Sequence, residues 1–210
     1  SHLVFQDIYY ALLKEYRPII SDSRQSYSWD SRLEIIDSST ISLFKDILTC
    51  VGRKSNTGKS KGGIKVHTQI NLQENVPKLI WFSNATTHDK QFLKHVQLEK
   101  GKIAVFDKGY NDYQTFDEFT KNDIFFVTRL KSNASYESVK ENDIPSYIDN
   151  GVIKDEVIRV EVKQNGTYQK TIELRKIAYW DDENKRCFEF VTNLNGMNAG
   201  HIALIYKKRW

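Results

Sequence analysis

The stretch "KIAVFDKGY", residues 102–110, decides how this chain is read. Ile103, Ala104, Val105 and Phe106 run without a polar break and stop at Asp107. A short unbroken apolar run is the pattern of a strand buried on both faces. The stretch "RLEIIDSST" (32–40) has the same form, with Leu33, Ile35 and Ile36 in a short strand that ends at Asp37. In open α/β sheets, functional groups gather where strands end. If these two strands are neighbours, their carboxylates face each other across one strand spacing, about 5 Å. Such a pair suits Mg²⁺, which takes oxygen ligands and keeps positions open for phosphate oxygens. Two ions about 4 Å apart can clamp the attacking and leaving oxygens of a phosphoryl transfer. Taken singly, each Asp is also an ordinary cap or turn residue, and a third acidic ligand is missing from the pattern.

Outward from these strands, "GIKVHTQIN" (63–71) and "VPKLIWFSN" (76–84) read as a β-hairpin with Asn75 and Pro77 at its turn. "ATTHDKQFLKHVQLEKG" (85–101) reads as a helix, with Thr86 or Thr87 as N-cap and Gly101 as its stop. "NDYQTFDEFTKND" (111–123) reads as a helix capped by Asn111 or Asp112, and "IFFVTRL" (124–130) as a strand. Antiparallel strands followed by βαβ units predict a mixed sheet with helices on both faces. Towards the start, "LVFQDIYYALLKEY" (3–16) has helical spacing and is expected to end at Pro18. A polar linker (21–29) follows, then a short helical turn over 41–49. The loop over 52–63 carries Gly52, Gly58, Gly62 and Gly63. Beyond Lys131, "GVIKDEVIRVEV", "TYQKTIELRKIAYW" and "RCFEFVTN" alternate or run apolar, with turns at Asn165-Gly166 and over 181–184. This β-rich block gives way to a helix from about Asn198.

The 210 residues, 40% hydrophobic and 12% aromatic, leave room for one substantial domain or one domain with an insertion. No apolar run approaches the roughly 18 residues of a membrane helix. Asp7 interrupts the only apolar patch near the start, so no signal peptide is seen. Cys50 and Cys187 match no metal-binding spacing and are expected to be buried thiols of a cytosolic protein. A net charge of +4 permits nucleic-acid binding without demanding it. Arg53, Lys54, Lys59, Lys61, Lys65 and His67 lie close together with no acidic residue among them. They suit either a solvated loop or a loop that faces phosphate.

Taken in order, "IIDSSTISLF", "GKSKGGIKVHTQIN", "ATTHD", "VFDKGYNDYQTF" and "FFVTRLKSNASYE" resemble the DDE transposases of bacterial insertion sequences, in the insertion-sequence-four branch. The resemblance implies a ribonuclease-H-like α/β core over 30–130, after an N-terminal helix and linker over 1–29. A β-rich insertion over 131–195 and the start of a last catalytic helix over 196–210 would follow. Asp37 and Asp107 match the first two metal ligands, which in the intact enzyme hold Mg²⁺ or Mn²⁺, two ions in all. The branch carries the signature Tyr-x2-Arg-x3-Glu-x6-Lys on its last catalytic helix. Tyr206 and Arg209 begin it, at the positions that hold DNA phosphate, and an Arg fork suits phosphate bidentately. The Glu would fall three residues past Trp210, so the chain is expected to be truncated before its third ligand and inactive or nearly so.

Further roles follow from the same resemblance. Lys59, Lys61 and Lys65 match a basic stretch near the DNA ends. Lys108 and Tyr110 would brace the loop of the second Asp, while capping suffices to explain His88 and Asp89. His67 is either close to the site or a satisfied strand residue. Trp180 either stacks on a displaced base or is a buried strand tryptophan. The implied partners are double-stranded DNA, as transposon ends and target, and a second copy of the protein in a synaptic homodimer. The implied place is the bacterial cytoplasm, at the nucleoid, with no membrane. The implied reaction is metal-dependent hydrolysis followed by strand transfer. A ribonuclease-H-like nuclease without strand transfer and a non-catalytic DNA-binding remnant are the alternatives.

Overall fold

Strand β5 (Ile103–Phe106) forms the middle of the molecule, and all four of its residues are fully buried. Successive side chains of a strand leave opposite faces. Ile103 and Val105 therefore join Leu33, Val127, Ile202 and Ile205 in one core, while Ala104 and Phe106 join Ile36, Phe116 and Phe126 in another. Burying each of the larger side chains contributes about 1.5–3 kcal/mol. The computed structural model describes residues 2–20, 27–42, 52–54, 60–144, 151–164 and 166–209, and of residues 2, 17–20, 52–54 and 60–62 only the backbone.

The sheet is built from β1 (Leu33–Ser42), β2 (Gly52–Lys54), β3 (Ser60–Asn71), β4 (Val76–Asn84), β5, β6 (Phe125–Arg129), β7 (Glu137–Glu141), β8 (Val152–Gln164), β9 (Thr167–Asp181) and β10 (Arg186–Thr192). Its order is β2-β3-β1-β5-β6-β10-β9-β8-β7, with β4 also paired to β3. β4, β3 and β1 form an antiparallel meander, and β5 and β6 add parallel to β1. This is the mixed sheet expected from the sequence, in keeping with the ribonuclease-H-like core that the resemblance implies. β10 pairs antiparallel with β6, so the β-rich block extends the same sheet. Helix α2 (Tyr113–Lys121) packs Phe116 and Phe119 on one face. Helix α3 (Ala199–Lys207) packs Ile202, Ala203 and Ile205 on the other.

Several local expectations are corrected. Helix α1 (His2–Ile20) runs through Pro18. A proline in the last turn forfeits one backbone bond there and leaves the earlier turns intact. β1 does not end at Asp37 but continues to Ser42, because β3 goes on pairing its other edge as far as Ser42↔Gly63. The predicted helix over 85–101 is only a 3-10 stretch, Asp89–Lys94, with no side-chain cap from His88. The Thr87 carbonyl there accepts from Lys65 Nζ, and the buried pair Phe92 and Leu93 anchors the stretch to the core. Strand β2 lies in the predicted glycine loop. Of the helical turn expected over 41–49, Ile41 and Ser42 belong to β1 and the remainder lies outside the described residues. Cys187 is exposed rather than buried, near the turn end of β10, and Cys50 lies outside the described residues.

Candidate active site

The parallel pairing of β1 with β5 ends at Ile36↔Phe106, and that of β5 with β6 at Phe106↔Thr128. One step further along each strand come Asp37, Asp107 and Arg129. Three charged side chains thus form a single row where the parallel pairing of β1, β5 and β6 stops. Ile36 and Phe106 face α2, so the period of two turns Asp37 and Asp107 towards the α3 side. β5 stops here because Asp107 caps the short 3-10 turn Lys108–Tyr110, its Oδ1 accepting from Gly109 N at 3.0 Å.

Two arginines hold the carboxylates. Arg129 Nη2 donates to Asp107 Oδ2 at 2.8 Å. Arg209, just past α3, places Nη2 3.3 Å from Asp37 Oδ1 and Nη1 3.7 Å from Asp107 Oδ2. Its Nη1 also donates to the Tyr206 hydroxyl at 2.8 Å. The Asp37 side chain is 51% exposed and Asp107 32%, so the pair opens to solvent. Burial disfavours ionised Asp107, but the Gly109 N–H, Arg129 and Arg209 outweigh it and hold the carboxyl below its usual range. Burial pushes the Tyr206 phenol up, against the pull of Arg209 and Arg129. α3 is placed by Asn198, which caps Gly200 N at 2.8 Å, and by the buried Arg175–Asp155 pair. Arg175 Nη1 donates to the carbonyls of Leu194, Asn195 and Met197 on the approach to that helix.

The other candidates are placed as follows. His67 is fully buried, with Nδ1 3.2 Å from the Tyr110 hydroxyl and Nε2 3.0 Å from Ser83 Oγ, so it is a satisfied strand residue. Tyr110 is buried with it and braces the turn after Asp107. Lys65 Nζ lies 2.8 Å from Asp89 Oδ1, and its side chain is only 13% exposed. Asp89 is therefore an ion-pair partner and not a helix cap. Lys59 lies outside the described residues, as does the side chain of Lys61. Trp180 is not buried: it is exposed on β9, and its Nε1 donates to Asp182 Oδ1 at 3.0 Å. The cleft beside Tyr206 is lined instead by Tyr179, Arg186, Phe188 and Phe190. Arg129 was missed in the sequence, although it follows the same rule as the two aspartates: a charged residue at the end of a buried run.

Asp37 and Asp107 offer only carboxylate oxygens, a donor set that fits Mg²⁺ or Mn²⁺ and not a soft ion. Among the described residues no group of three or more His, Cys, Asp or Glu is arranged to hold a metal.

The family model described as the transposase DDE domain matches residues 28–210. The chain belongs to this family. It is 32% identical over 180 residues to y4zB, a protein of Sinorhizobium fredii named as a transposase, covering 85% of this chain and 48% of the relative. It is 23% identical over 188 residues to a Geobacillus stearothermophilus protein named as the transposase for insertion sequence element IS5377, covering 90% of this chain and 48% of that one. The chain therefore spans about half the length of the curated relatives it matches. Among solved structures it is similar to a piggyBac transposase synaptic complex with hairpin DNA, with a TM-score of 0.46 and 12% identity over 85% of this chain and 38% of the other. Asp37 and Asp107 both lie within the matched residues. No helix among its described residues is long and apolar enough to cross a membrane.

Proposed function

We propose that this DDE domain serves a bacterial insertion-sequence transposase of the insertion-sequence-four type. The reaction is metal-dependent hydrolysis of the phosphodiester at transposon ends, then attack of the freed 3′-hydroxyl on target DNA. The observation that carries this reading is the row Asp37, Asp107 and Arg129, one step past the parallel pairing of β1, β5 and β6. Asp37 and Asp107 would hold Mg²⁺ or Mn²⁺, two ions in the complete site. Bound there, the metal supplies positive charge at the phosphoryl oxygens and activates water. Arg129 fixes the orientation of Asp107. Arg209 balances both carboxylates and, on DNA binding, turns its fork to the phosphate beside the scissile bond. Tyr206 steadies that guanidinium through its hydroxyl. Lys59 and Lys61 add positive charge for the DNA backbone, and Trp180 offers an exposed ring to a displaced base. The partners are double-stranded DNA and a second copy of the protein, and the place is the bacterial nucleoid.

Incubation of a full-length transposase that contains this domain with its own element's end DNA and Mg²⁺ tests the reading. Cleavage that Asp37→Asn and Asp107→Asn each abolish is expected. Salt-dependent DNA binding with no cleavage, unchanged by Asp37→Ala, would instead identify a non-catalytic DNA-binding protein.

A further inference from the structure

Asp89 stands outside the row of strand ends, yet it touches both segments that carry the carboxylates. It opens the turn Asp89–Lys94 that follows β4. Its Oδ1 accepts from Lys65 Nζ at 2.8 Å and from Ser38 Oγ at 3.4 Å. Ser38 is the chain neighbour of Asp37. Its Oδ2 lies against the backbone of Gly109: a Cβ built there would come within 2.9 Å of Asp89 Oδ2 and 3.6 Å of Asp107 Oδ1. Gly109 does not occupy left-handed backbone, so its missing side chain answers to space and not to conformation. The Gly109 N–H in turn holds Asp107 Oδ1.

Lys65 fixes Asp89 from behind. Its ammonium also reaches the Thr87 carbonyl at 3.1 Å. The two side chains are 13% and 25% exposed, so the pair is sheltered and screened less than a surface ion pair. Asp89 is thus held on one side and wedged between β1 beside Asp37 and the turn beside Asp107.

We propose that Asp89 is a positioning residue that sets the spacing of Asp37 and Asp107, and that Lys65 is its internal counter-charge and not a contact to DNA. This rests on the reading of Asp37 and Asp107 as the metal-holding pair. Groups that orient metal ligands typically change metal affinity about 10–100-fold when removed.

The test is Mn²⁺ binding to the 210-residue chain, followed by the electron paramagnetic resonance signal of free Mn²⁺. Wild type should bind, and Asp37→Asn should not. Asp89→Asn should weaken binding about tenfold. The double variant Lys65→Met/Asp89→Asn restores the charge balance, and it should stay as weak as Asp89→Asn. Gly109→Ala keeps every charge but displaces Asp89, and it should weaken binding as well. Recovery of wild-type affinity in the double variant would reduce Asp89 to a counter-charge and overturn the proposal, as would wild-type affinity in Asp89→Asn. If Asp89→Asn shows no cooperative thermal melt, Gly109→Ala decides alone. Failure of the wild type to bind, or binding unchanged in Asp37→Asn, sinks the metal-site reading itself and the proposal with it.

Discussion

Arg129 and Asp107 stand side by side at the ends of two parallel strands, joined by one hydrogen bond of 2.8 Å. Burial disfavours a charged guanidinium at position 129, but Asp107 and the Tyr206 hydroxyl more than offset it. The contact aims one carboxylate oxygen, while Gly109 N aims the other. Arg129→Lys keeps the charge but loses the planar fork. It should lower Mn²⁺ affinity about tenfold with little change in melting temperature. Calorimetric titration beside a thermal melt checks this, and unchanged affinity would deny Arg129 its orienting role.

Arg209 spans the two aspartates and so competes with any cation between them. Its removal should act in opposite directions on the two ligands. Arg209→Ala should tighten Mn²⁺ binding by the chain. It should also weaken binding to duplex DNA and reduce the salt dependence by about one phosphate contact. Fluorescence anisotropy at several salt concentrations reads the second effect.

The Arg175–Asp155 pair is buried on both sides, with side chains 8% and 5% exposed. Removing one member leaves a buried charge unpaired, which costs about 3–5 kcal/mol. Asp155→Ala should shift urea unfolding by that amount. It should also loosen the approach to α3, visible as faster amide exchange near Ala199–Lys207.

His67 carries a pH dependence. Burial lowers its pKa; Lys65 adds to the fall and Asp89 opposes it. The unfolded chain therefore takes up a proton first as pH falls through about 6.5. His67 supports the fold fully above that value, and its contribution declines below it until the lower folded pKa is passed. Melting temperature should drop through this window, and His67→Gln should flatten the slope. An equal slope in the variant would place the effect elsewhere.

Much of the site was legible in the chain alone. The apolar runs before Asp37 and Asp107 announced two buried strand segments and the charged groups that follow them, because side-chain period and run length are local properties. The hairpin over 63–84, the helix after Asn111 and the β-rich block after Lys131 were visible for the same reason. The tertiary structure alone decided which charges meet. Lys65 finds Asp89 and not solvent, because β3 and the turn after β4 lie against each other. Arg129 meets Asp107 because β6 pairs with β5, and Arg209 reaches Asp37 across 172 residues because α3 packs over those strands. The segment over 85–101 has helical residues but keeps only a short 3-10 turn, where Lys65 of β3 holds the Thr87 carbonyl and the Asp89 carboxylate. Propensity and periodicity act over a few residues, whereas an ion pair needs two distant segments brought within about 4 Å, and sheet order supplies that proximity.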